Sequence, residues 1–260
     1  MDMGSEGPAE GSPRAREAAE QALHLDETIG EAHASLGLAY TCEYRWAESE
    51  REYRRAIELN PMYASAHQWY YMDLLAQGRV DEARRELAAA EEADPLSPII
   101  LFHKGYLAWI EGHDDAALES WRRSSQLGGD AALFHLFMIC FHVRRSEFHQ
   151  AVAHLAELPA QGGGYLGPAA PIAGLAALGR REEAERAAAA LEAEGRKEFV
   201  IATGPAWIYG VLGDSDRFFD WLSRSVDSVS KPFDFVTNPM FAPMRADPRL
   251  REYLRRFRLA

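Results

Sequence analysis

Apolar residues recur at helical spacing through almost the whole chain. The stretch Gly30–Pro61 shows this most clearly, because Leu36 and Tyr40 share one face of a first helix and Tyr53 marks the apolar face of a second. The strict alternation of apolar and polar residues that a half-buried strand would show is absent. A single pair of such helices cannot bury both apolar faces, so the pattern predicts that further pairs stack on this one.

The helix pairs repeat with a fixed period. Pro61 and Pro95 are 34 residues apart, and so are Gly78 and Gly112, which lie in the turns between paired helices. The same spacing joins a series of alanines in the second helices: Ala83, Ala117 and Ala151. A period of about 34 residues with helix–turn–helix content is typical of a helical repeat array.

The period divides the chain into three predicted segments. Residues 1–13 are rich in Gly, Pro, Ser and Glu, and we expect a flexible tail there. For residues 14–230 the sequence predicts a leading helix followed by about six helix pairs. For residues 231–260 it predicts an irregular segment followed by a C-terminal capping helix. The leading helix matches the second helix of a pair, so either it is an N-terminal cap or the chain is the tail of a longer protein.

Composition and charge limit the possible partners. Asp and Glu outnumber Lys and Arg by 40 to 28, which gives a net charge of −12. That balance lacks the basic footprint of a nucleic-acid-binding protein and disfavours an anionic membrane surface. Cys42 and Cys140 provide no disulfide framework, and neither a signal peptide nor a spanning run of about 20 apolar residues is present. We therefore predict a cytoplasmic chain with no nucleic-acid or membrane partner in this segment.

Motifs that could carry chemistry lack their usual context. His135, His142 and His149 have no carboxylate or cysteine at ligand spacing, which favours a structural role over a metal site. The glycines of residues 162–167 match G-x-G-x-x-G, but a helix precedes them and Pro168 follows, where dinucleotide binding needs a strand and a helix N-terminus. The sequence contains no Ser/His/Asp ordering, H-E-x-x-H or Walker loop. We predict no enzyme activity, no metal and no cofactor.

The repeat resembles the tetratricopeptide repeat. In the first complete pair the matching residues are Leu36, Gly37, Tyr40, Tyr53, Ala56 and Pro61, and the phase continues through the fourth pair. A small residue such as Gly37 would let a neighbouring helix approach closely. The resemblance implies an all-α fold, a right-handed superhelical α-solenoid of helix–turn–helix repeats. It also implies that the first helix of each pair lines the concave face.

Two stretches, residues 54–70 and 238–257, are also similar to the repeat tails of bacterial multidomain signalling proteins. In that group the repeats follow a winged-helix DNA-binding domain, a protein kinase domain or a nucleotide cyclase domain, and none of these is present in the 260 residues. This resemblance implies an alternative function. The chain would then be a regulatory or ligand-sensing repeat domain of a transcription regulator, kinase or cyclase.

The tetratricopeptide resemblance also implies where a partner binds. Carried onto this sequence, the inner face holds seven candidate groove residues: Gln68, Trp69, Met72, Phe102, Tyr106, Trp109 and Leu136. Aromatic anchors suit the burial of a partner helix or an extended peptide. The alternative is that some of them, Tyr106 and Trp109 above all, pack against neighbouring helices or the terminal segment.

One partner class is disfavoured by the same comparison. Chaperone-binding members of the family hold a terminal carboxylate with Lys, Asn and Arg on the inner face. The matching slots of this chain carry Ala34, Leu38, Gln68 and Met72. The sequence therefore predicts a non-catalytic protein–protein interaction scaffold that binds a peptide or helix without a carboxylate clamp.

Overall fold

The computed structural model describes residues 8–158, 169–193, 203–225 and 237–259. Helices joined by short turns make up these residues, and no strand occurs among them. The predicted all-α class is therefore confirmed. The glycine-rich loop of residues 162–167 lies outside the described residues.

Consecutive helices pair in the order of the sequence. After the leading helix α1, the pairs are α2 with α3, α4 with α5, α6 with α7, α8 with α9, α10 with α11, and α12 with α13. The described helices are α1 (Pro8–Leu25), α2 (Gly30–Cys42), α3 (Trp46–Leu59), α4 (Ala64–Ala76), α5 (Val80–Ala93), α6 (Pro98–Ile110), α7 (Asp114–Gln126), α8 (Ala131–Arg144), α9 (Phe148–Glu157), α10 (Ala169–Ala177), α11 (Arg181–Ala193), α12 (Thr203–Leu212), α13 (Ser215–Ser225), α14 (Ala242–Arg245) and α15 (Pro248–Arg256).

Helix ends follow local backbone chemistry. Asn60 leaves the helical region with φ −141° and ψ 87°, because the ring of Pro61 disfavours helical geometry in the residue before it. At the start of α8, the Asp130 side chain accepts a hydrogen bond from the Leu133 backbone N–H at 2.8 Å. The helix α1 begins at Pro8, ahead of the Arg14 expected from the composition of the tail.

Each turn within a pair contains one residue with a positive φ. These residues are Tyr44, Gly78, Gly112, Ser146, Gly179 and Gly213. The period predicted turns at Gly78 and Gly112, and the structure adds Tyr44 and Ser146 at the same repeat position. Because a β-carbon makes the left-handed region costly by roughly 1–2 kcal/mol, those two turns are held by the packing of their helices.

The described residues form two compact units. The first contains residues 8–124 together with Thr237 and Phe257–Leu259. The second contains residues 125–158, 169–193, 203–225 and 238–256. The predicted segment 14–230 thus contributes to both units, and so does the predicted terminal segment 231–260.

In the first unit, a glycine on a first helix lies against a large ring on the second helix of the same pair. A β-carbon added at Gly37 would lie 2.9 Å from the Tyr53 ring, and one added at Gly105 would lie 2.5 Å from the Trp121 indole. Both distances are too short for real atoms. The expectation that Gly37 permits a close helix approach is confirmed.

A buried carboxylate connects three helices of the first unit. Asp73 on α4 is fully buried and accepts hydrogen bonds from Thr41 Oγ1 at 2.7 Å, Ser49 Oγ at 3.0 Å and Gln77 Nε2 at 2.8 Å. A buried charge is tolerated when its oxygens are hydrogen-bonded in this way. Since Thr41 belongs to α2 and Ser49 to α3, the network fixes the position of α4 against the preceding pair.

The C-terminal residues pack in both units. In the second unit, Arg249 of α15 donates to Asp216 of α13 at 2.8 Å. In the first unit, the ring of Phe257 is fully buried and lies edge-on to Tyr44, with 4.4 Å between the ring centroids. Trp46 Nε1 donates to the Phe257 backbone carbonyl at 2.6 Å.

Candidate functional site

Three of the candidate groove residues lie together on α4. Gln68, Trp69 and Met72 are partly exposed, and the Gln68 amide approaches the Met72 sulfur at 3.8 Å. Trp69 packs against a cluster of small buried residues: Ala34, Ala56 and Ala66. These contacts hold the indole in place on one side and leave part of its surface open.

The three aromatic candidates on α6 are buried. The exposed fractions of Phe102, Tyr106 and Trp109 are 7%, 2% and 0%. The Tyr106 hydroxyl shares a hydrogen bond with the Thr237 hydroxyl, with 2.8 Å between the oxygens. A partner cannot contact these rings in this conformation. They pack within the chain, which was the alternative to a binding groove.

The ring of Trp121 on α7 explains the burial of Phe102 and Trp109. It crosses over Gly105, donates from Nε1 to the Phe102 carbonyl at 3.1 Å, and meets Trp109 edge-on with 5.7 Å between ring centroids. Together the rings of α6 and α7 make the core of the third pair. Phe102, Tyr106 and Trp109 are therefore excluded from the candidate binding surface.

Leu136 is also a core residue. It is fully buried on α8 in the second unit, whereas Gln68, Trp69 and Met72 belong to the first unit. Its neighbour along the chain, Phe137, packs against Trp207 with 6.0 Å between the ring centroids. The described structure thus leaves three of the seven candidates accessible.

Sequence reasoning missed a second set of exposed apolar side chains. Met62 and Leu96 are 61% and 60% exposed, and each directly follows a repeat proline, Pro61 or Pro95. The signal was present in the sequence, because a large apolar residue occupies the same loop position in two successive repeats. These side chains lie in the loops between pairs, before the start of α4 and of α6.

Histidine–glutamate pairs join the two helices of the first two repeats. His33 Nδ1 lies 2.7 Å from Glu52 Oε2, and His67 Nδ1 lies 2.7 Å from Glu86 Oε2. Burial is the largest influence on the pKa of His67 and lowers it. The hydrogen bonds to Glu86 and to the Pro61 carbonyl together outweigh burial, so the pKa of His67 is raised.

An ion-pair network holds the second repeat to the first. The guanidinium of Arg79 donates to Glu50 at 2.6 Å and to Glu82 at 2.7 Å, and the Tyr70 hydroxyl donates to Glu50 at 2.9 Å. The hydrogen bond from Arg79 outweighs burial and lowers the pKa of Glu50 to about 2. Glu50 is therefore ionised at neutral pH, and the network is a fixed contact between repeats.

The described residues contain no group of three or more His, Cys, Asp or Glu side chains that could hold a metal ion. Within the same part of the chain, no helix has both the length and the apolar character needed to cross a membrane.

Several solved structures share this fold. PilF of Pseudomonas aeruginosa matches with a TM-score of 0.55 and 21% identity, over 82% of this chain and 99% of that chain. PilW, a type IV pilus biogenesis factor, matches with a TM-score of 0.54 and 14% identity, over 84% of this chain and 99% of that chain. A chain of the Cut9–Hcn1 hetero-tetramer of the APC/C matches with a TM-score of 0.60 and 15% identity over 88% of this chain.

These matches define the class of fold. PilF, PilW and Cut9 are tetratricopeptide-repeat proteins, so the described chain has a tetratricopeptide-like helical repeat fold, as the sequence resemblance implied. The match spans 45% of the Cut9 chain, less than half of its length. No family model and no curated protein sequence matches this chain.

Proposed function

We propose that this chain is a non-catalytic scaffold that binds a peptide or helix of a partner protein on the face of α4 formed by Gln68, Trp69 and Met72. The observation that carries the proposal is the partly open indole of Trp69, held on one side by a cluster of alanines. An aromatic ring fixed in this way loses little conformational entropy when a partner covers it.

The neighbouring side chains suit the same role. Met72 is unbranched and polarizable, so it adapts to the shape of an apolar partner, and Gln68 offers a donor and an acceptor beside it. Leu38 occupies the position on α2 that Met72 occupies on α4, one period earlier, and is also partly exposed. The proposed surface therefore extends along the first helices of two successive repeats.

The fold supports a binding role in general terms. Repeat arrays present continuous surfaces made from equivalent helices, and such surfaces commonly bind other proteins. The hetero-tetramer of Cut9 and Hcn1 is an assembly built with a chain of this fold.

A catalytic role is disfavoured by access. The carboxylate of Asp73 and the hydroxyls of Thr41 and Ser49 form a hydrogen-bonded polar cluster in the first unit. All three residues are fully buried, so a substrate cannot reach them. We propose that this cluster is structural and that the chain is not an enzyme.

The test is capture of a partner from a lysate of the source cell, followed by direct binding of the purified partner. We expect Trp69→Ala with Met72→Ala to abolish capture. Met62→Ala with Leu96→Ala is the matched control, since it removes two exposed apolar side chains elsewhere, and capture should persist.

A second variant distinguishes loss of the binding surface from loss of capture through unfolding. Met72→Lys places a charge on the open face without emptying a core, and it should weaken capture while the thermal unfolding midpoint stays close to that of the unmodified chain. Capture that survives both α4 variants would contradict the proposed surface.

Two further proposals rest on the sequence alone. The acidic balance and the low cysteine content support a cytoplasmic location, which fractionation of the source cell tests. The regulatory role implied by the bacterial signalling tails stays a prediction. It requires a kinase, cyclase or DNA-binding domain encoded in the same reading frame, and sequencing the surrounding gene tests this.

A further inference from the structure

The fourth helix pair departs from the histidine–glutamate pattern of the first two. The paired positions are 19 residues apart in each repeat. They hold His33 and Glu52, then His67 and Glu86, then Leu101 and Ser120, and finally His135 and His154. In the fourth pair, the Nδ1 atoms of the two imidazoles lie 3.0 Å apart.

Two facing ring nitrogens share one hydrogen. In the neutral pair, one of the two Nδ1 atoms of His135 and His154 donates and the other accepts. A first additional proton binds at Nε2 of the donating ring and leaves this hydrogen bond in place. A second proton must bind at the accepting Nδ1, where it removes the acceptor and brings two positive charges together. The pair therefore takes up its two protons in separate steps.

Among the described residues, α8, α9 and the turn between them place charged or titratable groups near the pair. His142 stacks on His154 with 5.5 Å between ring centroids, and its Nδ1 lies 2.7 Å from Glu147 Oε2. Arg145 also donates to Glu147, at 2.9 Å. The helix α10, which packs on α8, contributes no titratable residue, because its sequence is AAPIAGLAA.

Burial and one carboxylate act on His135 in opposite directions. Burial is the larger influence and lowers the pKa of His135, while the charge of Glu157 acts to raise it. The pKa of His135 is therefore lowered overall. The nearby carboxylate does not offset the loss of solvent around the pair.

We propose that the α8–α9 hairpin is an acid-sensitive element, stable while His135 and His154 share one hydrogen and opened when both imidazoles carry a proton on Nδ1. In the unfolded chain both histidines titrate near a pKa of about 6.5. The folded pair binds fewer protons below that pH, so stability of the hairpin is lost as the pH falls through about 6.5 and below.

The second repeat responds in the opposite direction. The pKa of His67 is raised in the folded chain, so the His67–Glu86 pair contributes stability that is present at low pH and lost as the pH rises. Acid therefore weakens the fourth pair while it strengthens the second. This local contrast distinguishes the proposed element from general acid denaturation.

The test is hydrogen exchange of the full chain, followed by mass spectrometry, at about pH 7.5 and about pH 5.5 with rates corrected for intrinsic exchange and with EDTA present. We expect the protection of α8 and α9 amides to fall about tenfold, the effect of one proton bound only by the open state between about pH 6.5 and about pH 5.5, while α4 and α5 lose none of theirs. Equal protection at both pH values would overturn the proposal.

Two variants copied from other repeats make the test specific. His154→Glu restores the histidine–glutamate pair, and His135→Leu with His154→Ser reproduces the third repeat. In both, the pH-dependent change in α8 and α9 should shrink to less than about twofold. An undiminished change in His154→Glu, which alters a partly buried position on α9, would also overturn the proposal.

Discussion

At the scale of single residues, the turns within the pairs store strain at two positions. Ser146 has φ 60° and is exposed, while the equivalent Gly112 has φ 81° without a steric cost. Since glycine adopts this region freely, Ser146→Gly should relieve the strain but add entropy to the unfolded chain. We expect a net stabilisation of about 0.5–1 kcal/mol in urea unfolding.

Gly112→Ala is the reciprocal variant. It introduces the same strain that Ser146 carries, and we expect it to destabilise the chain by about 1 kcal/mol. A destabilised Ser146→Gly variant would show that the serine side chain supports the turn.

Burial also distinguishes two tryptophans that the sequence assigned to the same candidate groove. Trp109 is fully buried among the rings of α6 and α7, whereas Trp69 is partly open on α4. We expect Trp109→Ala to lower the free energy of unfolding by about 3–5 kcal/mol, as for other large core truncations. Trp69→Ala should cost clearly less in the same denaturant titration, and equal losses would place Trp69 in the core as well.

At the scale of helices and repeats, most of the fold could be predicted from local signals. The spacing of Gly78 and Gly112 marked the turns, Pro61 marked the end of a helix, and Gly37 marked a close helix approach, because each depends on backbone geometry within one repeat. The phase also placed Gln68, Trp69 and Met72 on the same face of α4.

The remaining part of the candidate site depended on contacts that no period encodes. Tyr106 meets Thr237, which is 131 residues away along the chain, and Trp46 meets Phe257, which is 211 residues away. Each of these contacts joins one pair of residues far apart along the chain. It therefore produces no repeating signal in the sequence. That is why Tyr106 matched a binding groove in the sequence and belongs to the core in the structure. Phe102 and Trp109 are buried instead by contacts with Trp121 of the same pair.

At the scale of the whole molecule, the first unit includes residues from the end of the chain. Phe257 is fully buried against Tyr44, and its carbonyl accepts the hydrogen bond from Trp46. We expect Phe257→Ala to lower the free energy of unfolding by about 3 kcal/mol, through the lost ring and the cavity it leaves. Urea unfolding followed by circular dichroism measures this.

Arg256→Ala is the matched control for that variant. The side chain of Arg256 is exposed one residue earlier, and its removal should change stability by less than about 0.5 kcal/mol. If Phe257→Ala were as stable as the control, the burial of the ring would contribute nothing to the first unit.

The binding role of the α4 face is tested most directly by the dissociation constant of the captured partner, measured by titration calorimetry for the unmodified chain and for Trp69→Ala with Met72→Ala. Removing a central aromatic anchor and its neighbour should weaken binding by about 100-fold. Met62→Ala with Leu96→Ala should leave the constant unchanged. A dissociation constant for the α4 variant within about threefold of the unmodified chain would contradict the role of this face.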